Sequence, residues 1–422
     1  MADPSPRLIA LDALRGFAVM GILLMNIMGF AMPGAAYLNP AAYGGTGPAD
    51  LAAWGLCFVL VDGKFRALFS FLFGASMLLV VDRAEAAGDD GATIHFQRMA
   101  VLLGLGLVHA FLIWNGDILV LYAGIGAFAF AFVQRSVRAL VAIGIALLAA
   151  QMLLLSRFLG DFAALRDAAA APGASAAILS AWRGLNDQVG IPSAAAIRDS
   201  LAIHHGGYAT ILGDRLDEGV ATPFLQYLDA GVETLGLMLL GMAALRSGFL
   251  AGAWRRGAYA RIAAACYLAG VPALAWMAIG VARTGFDPVA AVRASELFAA
   301  PFRPILMIGH ASLLLLWLTG KPHGILAQRL AAVGRAALSN YVGTSIVMTT
   351  LFYGYGGGLF GRLGRAELYG VVPIAWLFML AWSKPWLDRY RYGPLEWLWR
   401  SLARGEAQPM RRAKKDIASK SQ

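Results

Sequence analysis

The sequence predicts an all-α protein: a polytopic transmembrane bundle of about ten spans, both termini cytoplasmic, with an interfacial helix near the C-terminus. Three observations predict it. Of the 422 residues, 59% are hydrophobic and only 14% charged, against roughly a quarter charged in an average soluble domain. The mean hydropathy is +0.64. Apolar stretches recur along the whole chain, each about 18 to 25 residues long and so able to cross a hydrocarbon core of about 30 Å as a helix.

The ten expected spans lie at about 8–32, 64–82, 97–114, 117–133, 138–156, 224–245, 258–281, 302–319, 330–353 and 367–383. The first carries Asp12 and Arg15 at its start and no small-residue cleavage pattern behind it, so a retained helix is expected rather than a signal peptide. Arg7, Arg83 to Arg98, Arg135 to Arg138, Arg246 to Arg256, Lys321 to Arg329 and the tail "RRAKKDIASKSQ" (411–422) hold most of the lysine and arginine. The positive-inside rule makes those segments cytoplasmic. Topology thereby accounts for the net charge of +10 without nucleic acid.

Four regions follow: 1–156, about five spans with a re-entrant or interfacial helix near 49–63; an extracytoplasmic insert, 157–223; a second transmembrane region, 224–402; and a basic cytoplasmic tail, 403–422. The segment "KPWLDRYRYGPLEWLWRSL" (384–402) mixes tryptophans with arginines, the composition of an interfacial helix. Gly-rich "GYGGGLFGRLG" (354–364) is an expected outer connection. Cys57 and Cys266 sit in apolar runs as free thiols and imply neither disulfide nor metal. Walker loops, HExxH, CxxC and GxSxG are all absent.

An ionisable group within a span costs roughly 2.5–3.5 kcal/mol on insertion scales and raises a functional hypothesis by default. In "LVHAFLIWNGDILVLYAGIG" (107–126), His109 lies inside an apolar run and Asp117 opens the next one. His109 is eleven residues beyond Arg98, about 17 Å along a helix and just past the midplane. His310 reaches a similar depth, and Asn26 and Lys64, with Arg66 beside it, lie near the outer face. An inner layer holds Asp12, Arg15 and "GRAALSNY" (334–341), with Arg335, Ser339 and Asn340. Each has a bland alternative. His109 can be a satisfied buried histidine, Lys64 and Arg66 snorkelling anchors, Asp12 and Arg15 a structural i, i+3 pair, and Asn26 and Asn340 interhelical glue. His204 and His205 fall in the insert and need no role.

Five stretches, "RLIALDALRGFAVMGILLMNIMGF" (7–30), "DGKFRALFSFLFG" (62–74), "LGLVHAFLIWNGDILVLYAGIG" (105–126), "VGRAALSNY" (333–341) and "GPLEWLWRSL" (393–402), resemble the YeiB family of bacterial inner-membrane proteins in order and from end to end. That family looks distantly similar to transmembrane acyltransferases, including heparan glucosaminide N-acetyltransferase, and the resemblance implies an inner-membrane location with acyl-CoA as co-substrate. Asn26 falls where that relative has a functional asparagine. The relative's catalytic loop histidine has no counterpart, since residues 31 to 53 contain no histidine.

The expected function is therefore acyl transfer from a cytosolic thioester to an extracytoplasmic or lipid-linked, sugar-type acceptor. Such chemistry needs a base near pKa 7 and donors for the oxyanion. His109 would be the base, Asp117 its orienting partner once the "NGD" turn folds back, and Asn26 an oxyanion donor. Lys64, Arg66, His310 and Asn340 are the candidate acceptor-binding residues, and His310 is the alternative base. Arg15 and Arg335 would steer the donor's phosphates. The rival from another class is a proton-coupled transporter or channel, and the third reading is a scaffold recruiting a partner through the insert. The expected partners are the lipid bilayer and a small-molecule or sugar acceptor, and the sequence leaves oligomerisation open.

Overall fold

The computed structural model describes residues 6–217, 219–320 and 324–412, with the side chains of residues 6–8 left aside. Lys321, the Arg7 side chain and the tail beyond Arg412, all used in the charge argument, lie outside the described residues. The helices run in the order α1 (Pro6–Ala31), α2 (Pro48–Leu60), α3 (Lys64–Ala86), α4 (Gly91–Val108), α5 (Leu119–Ala129), α6 (Val137–Ala170), α7 (Ala176–Val189), α8 (Ala194–His205), α9 (Tyr208–Asp217), α10 (Thr222–Arg246), α11 (Arg256–Arg283), α12 (Pro288–Val292), α13 (Phe302–Leu318), α14 (Ile325–Arg335), α15 (Ala337–Phe352), α16 (Arg365–Leu368), α17 (Val371–Arg389) and α18 (Pro394–Arg404). The architecture is all-α.

Seven stretches of the described residues are long and apolar enough to cross a membrane: Ile9–Ala31, Pro48–Ala86, Gly91–Ile113, Val137–Ala170, Thr222–Arg246, Arg256–Arg283 and Arg365–Arg389. The bent pair Pro288–Phe298 and Phe302–Leu318, which turns by 55°, makes an eighth if it counts as one span. The other two expected spans are helical in a different form. The 117–133 stretch is the shorter apolar helix Leu119–Phe132, and 330–353 is divided at Ala336 between α14 and α15. The helix expected near 49–63 is α2, and it runs on into α3 as one 39-residue stretch interrupted by a turn with Gly63 at φ +71°.

Lipid-facing surface is evident on α6, α11 and α17, where Leu153, Leu268, Trp276, Ile374 and Phe378 are exposed. In water such a surface would be a large association patch; in lipid it is simply the solvent-facing side. The interior is built by close backbone approach. A Cβ on Gly334 would stand 1.8 Å from the Asp12 carbonyl oxygen, and one on Gly16 would stand 2.1 Å from that of Leu330. Glycine is required at this crossing of α1 and α14, as small residues commonly are where membrane helices meet. The crossing of α3 with α10 repeats the device: a Cβ on Gly241 would meet the Phe71 oxygen at 1.7 Å.

The break at Ala336 is stabilised by residues from two of the stretches quoted above. Asn340 Nδ2 donates to the carbonyls of Val333 at 3.2 Å and Ala336 at 2.9 Å. Glu396, from α18, accepts the N–H groups of Leu338 at 2.6 Å and Ser339 at 3.1 Å and the Ser339 hydroxyl at 2.6 Å. These are the orphan groups that a helix end exposes, and in lipid they must find partners within the protein. The interfacial helix thereby caps an interior one.

In the insert, serines at 175 and 193 cap α7 and α8 by accepting from Ile178 N and Ala196 N. His205 Nε2 donates to the Phe360 carbonyl at 2.8 Å, and the His204 ring stacks on Phe360 with centroids 4.0 Å apart. The insert is thus clamped to the Gly-rich 354–364 connection. Two ends of the bundle can be named: an insert side, and an arginine side where α1 begins and α18 lies.

Candidate functional site

His109 opens a π-helical turn, His109–Ile113, that continues α4, with the Trp114 N–H donating to the His109 carbonyl at 2.8 Å. Such turns occur frequently at functional sites. The chain then reverses through "NGD", and Asp117 returns beside the histidine. His109 Nδ1 donates to Asp117 Oδ2 at 2.7 Å, while Asp117 Oδ1 accepts the Val120 N–H at 2.8 Å in the first turn of α5. Both side chains are buried, at 1% and 2% exposure.

That arrangement fixes the tautomer. Because a carboxylate only accepts, the proton lies on Nδ1 and Nε2 carries the free lone pair. Nε2 is buried with no hydrogen-bond partner in the structure. The Tyr341 ring lies 5.1 Å from the imidazole and that of Trp114 lies 6.4 Å away. Tyr341 donates to the Gly116 carbonyl at 3.4 Å, which ties α15 to the turn. On the insert side, Tyr208 donates to the Leu112 carbonyl at 2.8 Å and Arg215 to that of Phe111 at 3.5 Å. Helix α9 therefore closes the outer end of the π-helical turn.

Asn26 is half-buried and has no side-chain hydrogen bond among the described residues. It sits one turn inward from Gly29 and Phe30, on the face of α1 that meets Trp114, whose ring lies 3.9 Å from that of Phe30. The other sequence candidates are engaged in structure. His310 accepts from the Tyr267 hydroxyl at Nδ1 (2.6 Å) and donates from Nε2 to the Leu60 carbonyl (2.8 Å). Lys64 donates to the Phe58 carbonyl at 2.6 Å. The two satisfy the C-terminal carbonyls of α2 and hold its turn into α3. Asn340 holds the Ala336 break and also accepts from Trp382 Nε1 at 2.9 Å.

Arg66 leads to a group that the sequence reading missed. Its Nη2 lies 2.5 Å from Glu233 Oε2, and Arg303 bridges Glu233 at 4.0 Å and Glu296 at 3.0 Å. Ser295 donates to Asp62 at 3.2 Å beside them. The signal for Glu233 was present, a single carboxylate inside the apolar run "AGVETLGLML" (230–239). The sequence carried no information on which helix would face it.

On the arginine side, Arg15 bonds Asp12 at 3.0 Å, the Gly334 carbonyl at 3.3 Å and Ser76 Oγ at 2.9 Å. Arg335 donates to the Arg391 carbonyl at 3.3 Å and shares the field of Asp12 with Arg15. Arg98 lies 4.2 Å over the Trp399 ring and Arg400 4.7 Å over that of Tyr392. Neither Arg98, Arg335 nor Arg400 has a carboxylate within ion-pair distance among the described residues. Among those residues there is also no group of three or more histidine, cysteine and carboxylate side chains that could hold a metal.

Fold and site together define a polytopic helical membrane protein with a buried histidine–aspartate pair on its insert side and an arginine-rich face opposite. Its sequence is 35% identical over 417 residues to a protein of Escherichia coli (strain K12) described as "Uncharacterized protein YeiB", covering 96% of this chain and 98% of the relative. It is 30% identical over 422 residues to "Uncharacterized protein YxaH" of Bacillus subtilis (strain 168), covering 96% of each. The chain belongs to the YeiB family. Residues 244–406 match the family described as "Protein of unknown function (DUF418)". No solved structure matches the chain.

Proposed function

We propose that the protein is an acyltransferase of the bacterial inner membrane in which His109 is the general base. The observation that carries this reading is the unpartnered Nε2, held in the basic tautomer by the Asp117 carboxylate in a buried setting. In the reaction, the acceptor's hydroxyl or amine gives its proton to Nε2 as its oxygen or nitrogen attacks the thioester carbonyl. The carbon–sulfur bond then breaks, and the same proton passes to the departing thiolate. Asn26 would donate to the oxyanion that forms between these steps. Arg98, Arg335 and Arg400, which have no carboxylate within ion-pair distance among the described residues, would with Arg15 hold the donor's phosphates on the cytoplasmic side. From Arg98 the reacting end must reach His109, a rise of about 17 Å along α4. The acceptor would be a sugar-type or lipid-linked nucleophile.

The test uses purified protein, radiolabelled acetyl-CoA and a panel of sugar and lipid acceptors, beside His109→Ala. Acceptor-dependent CoA release that His109→Ala abolishes supports the reading. No thioester binding and no CoA release with any acceptor would sink it. The 55° bend before α13 and the break at Ala336 favour a second reading, since discontinuous helices are what proton-coupled carriers use. Proton-driven flux in proteoliposomes, lost in His109→Ala with no CoA chemistry, would support that carrier.

A further inference from the structure

Five guanidiniums from four helices, those of Arg15, Arg98, Arg335, Arg400 and Arg404, converge on the arginine side. Arg15 on α1 reaches the Gly334 carbonyl at 3.3 Å, next to Arg335 at the end of α14. Trp399 Nε1 on α18 donates to the Arg98 carbonyl of α4 at 2.8 Å, and the Arg98 guanidinium lies 4.2 Å over the same indole. Arg98 stands in the field of Arg400, Arg404 and Arg15, and Arg335 in that of Arg400 and Arg412. Arg404 is exposed and the other four are half-buried, so the group is partly withdrawn from water yet open to it.

The neighbours do not neutralise them. Asp12 is paired with Arg15 at 3.0 Å. The Glu396 carboxylate, which acts on Arg400, is spent on the N–H groups of Leu338 and Ser339 and on the Ser339 hydroxyl. Asp388, which acts on Arg335, is bound to Lys384 at 2.7 Å. Arg98, Arg335 and Arg400 are held by neutral groups: an indole, the Arg391 carbonyl and the Tyr392 ring. Such contacts fix a guanidinium without cancelling its charge, and like charges gathered at a half-buried face repel until an anion joins them.

The charge selects that anion. Five guanidiniums against the carboxylates of Asp12 and Glu396 leave three positive charges. A lone phosphate group brings at most about two negative charges, so two or more must arrive together to match three. Guanidinium forks fit phosphate oxygens two at a time. Arg404 faces water, while Phe96 and Leu402, each two residues from an arginine of the group, are exposed and apolar, so both a soluble and a lipid-borne group have access. We infer that the face between α1, α4, α14 and α18 is a seat for two or more phosphates carried on one molecule, a soluble nucleotide or a lipid headgroup. Where the carrier is CoA, the assignment rests on the donor reading above; nothing in it uses His109.

The full chain in phosphatidylcholine nanodiscs is titrated calorimetrically with CoA, ADP and AMP. A second set of nanodiscs holds equal cardiolipin and phosphatidylglycerol, and the lipid retained after extraction is counted by native mass spectrometry. One arm should prefer the paired phosphates by roughly tenfold, the scale of one or two hydrogen bonds to charged groups, and that arm names the carrier. Arg98→Gln and Arg400→Gln, checked for wild-type elution and melting, should each bring the preference close to one. Arg404→Gln, at an exposed position, replaces either variant that fails the check, and Arg183→Gln, exposed on α7 of the insert, should keep the preference. Two arms without preference, a preference that survives the cluster substitutions, or one that Arg183→Gln also removes would overturn the seat. CoA bound by a protein that transfers no acyl group would keep the seat and dismiss the donor reading. Acyl transfer undiminished in Arg98→Gln and Arg400→Gln would keep His109 as base and overturn the seat.

Discussion

Asp117 does two jobs with two oxygens, and its substitutions separate them. In Asp117→Asn the amide can still accept from Val120 N with its oxygen, but its Nδ2 then faces His109 Nδ1 and donates to it. That forces the proton to Nε2 and removes the base. Acyl transfer should fall by roughly 10²- to 10⁴-fold, with little change in melting temperature. Asp117→Ala leaves two buried N–H groups unmet, so it should lose about 1–3 kcal/mol of stability as well as activity, read from thermal unfolding. Gly334 sets a steric limit instead. In Gly334→Ala the new methyl overlaps the Asp12 carbonyl oxygen, and α1 and α14 must part. A loss of about 1–3 kcal/mol is expected, and a variant that melts like the wild type would contradict the crossing. The pairing of His109 with Asp117 was legible because only a short turn separates them and each interrupts an apolar run. The contact of Arg66 with Glu233 and Arg303 was not, because it joins three helices whose rotations about their own axes leave no trace in spacing.

At the scale of elements, α18 is the piece whose behaviour is easiest to misjudge. Its tryptophans and arginines were legible as an interfacial helix. That its Glu396 reaches inward to cap α15 was not, because Ala336 carries no proline or glycine signature for a break. Glu396→Ala removes acceptors from two N–H groups and a hydroxyl, a cost of about 1–2 kcal/mol on the scale of helix caps. We expect α18 to release, with faster tryptic cleavage at Arg400 and Arg404. Cleavage at the wild-type rate would contradict the capping role. The insert shows the converse case, in which residues set aside as loop histidines fasten an element. Burial pushes the His204 imidazole down to about 4, with nearby Arg215 and His205 acting in the same direction. The unfolded value is near 6.5, so the unfolded state binds the proton first as pH falls. Docking of the insert is therefore complete above about pH 6.5 and weakens as pH drops toward about 4. Hydrogen exchange in α8 and α9 should rise across that window, and His204→Phe, which keeps the stack without the titration, should flatten the response.

For the whole molecule, the sequence carried the class, the helical stretches and the two polar layers, because hydropathy and charge bias need no tertiary information. It could not assign the polar residues among themselves. Lys64, His310 and Asn340 lie at plausible depths, yet their hydrogen bonds go to the ends of α2 and to the break at Ala336. Of the two candidate bases, His310 has both ring nitrogens hydrogen-bonded, whereas His109 keeps Nε2 buried without a hydrogen-bond partner. The insert closes the space outside it, and the arginine face lies on the opposite side. This division of labour makes a comparison of two histidines the most direct test. CoA release by the purified protein, at neutral pH with an active acceptor, is measured for His109→Gln and His310→Gln. We predict a loss of roughly 10²- to 10⁴-fold for His109→Gln. His310→Gln, whose two bonds only hold the α2 turn, should keep its rate and lose stability. Equal activity in His109→Gln and the wild type, or a selective loss in His310→Gln, would contradict His109 as the base.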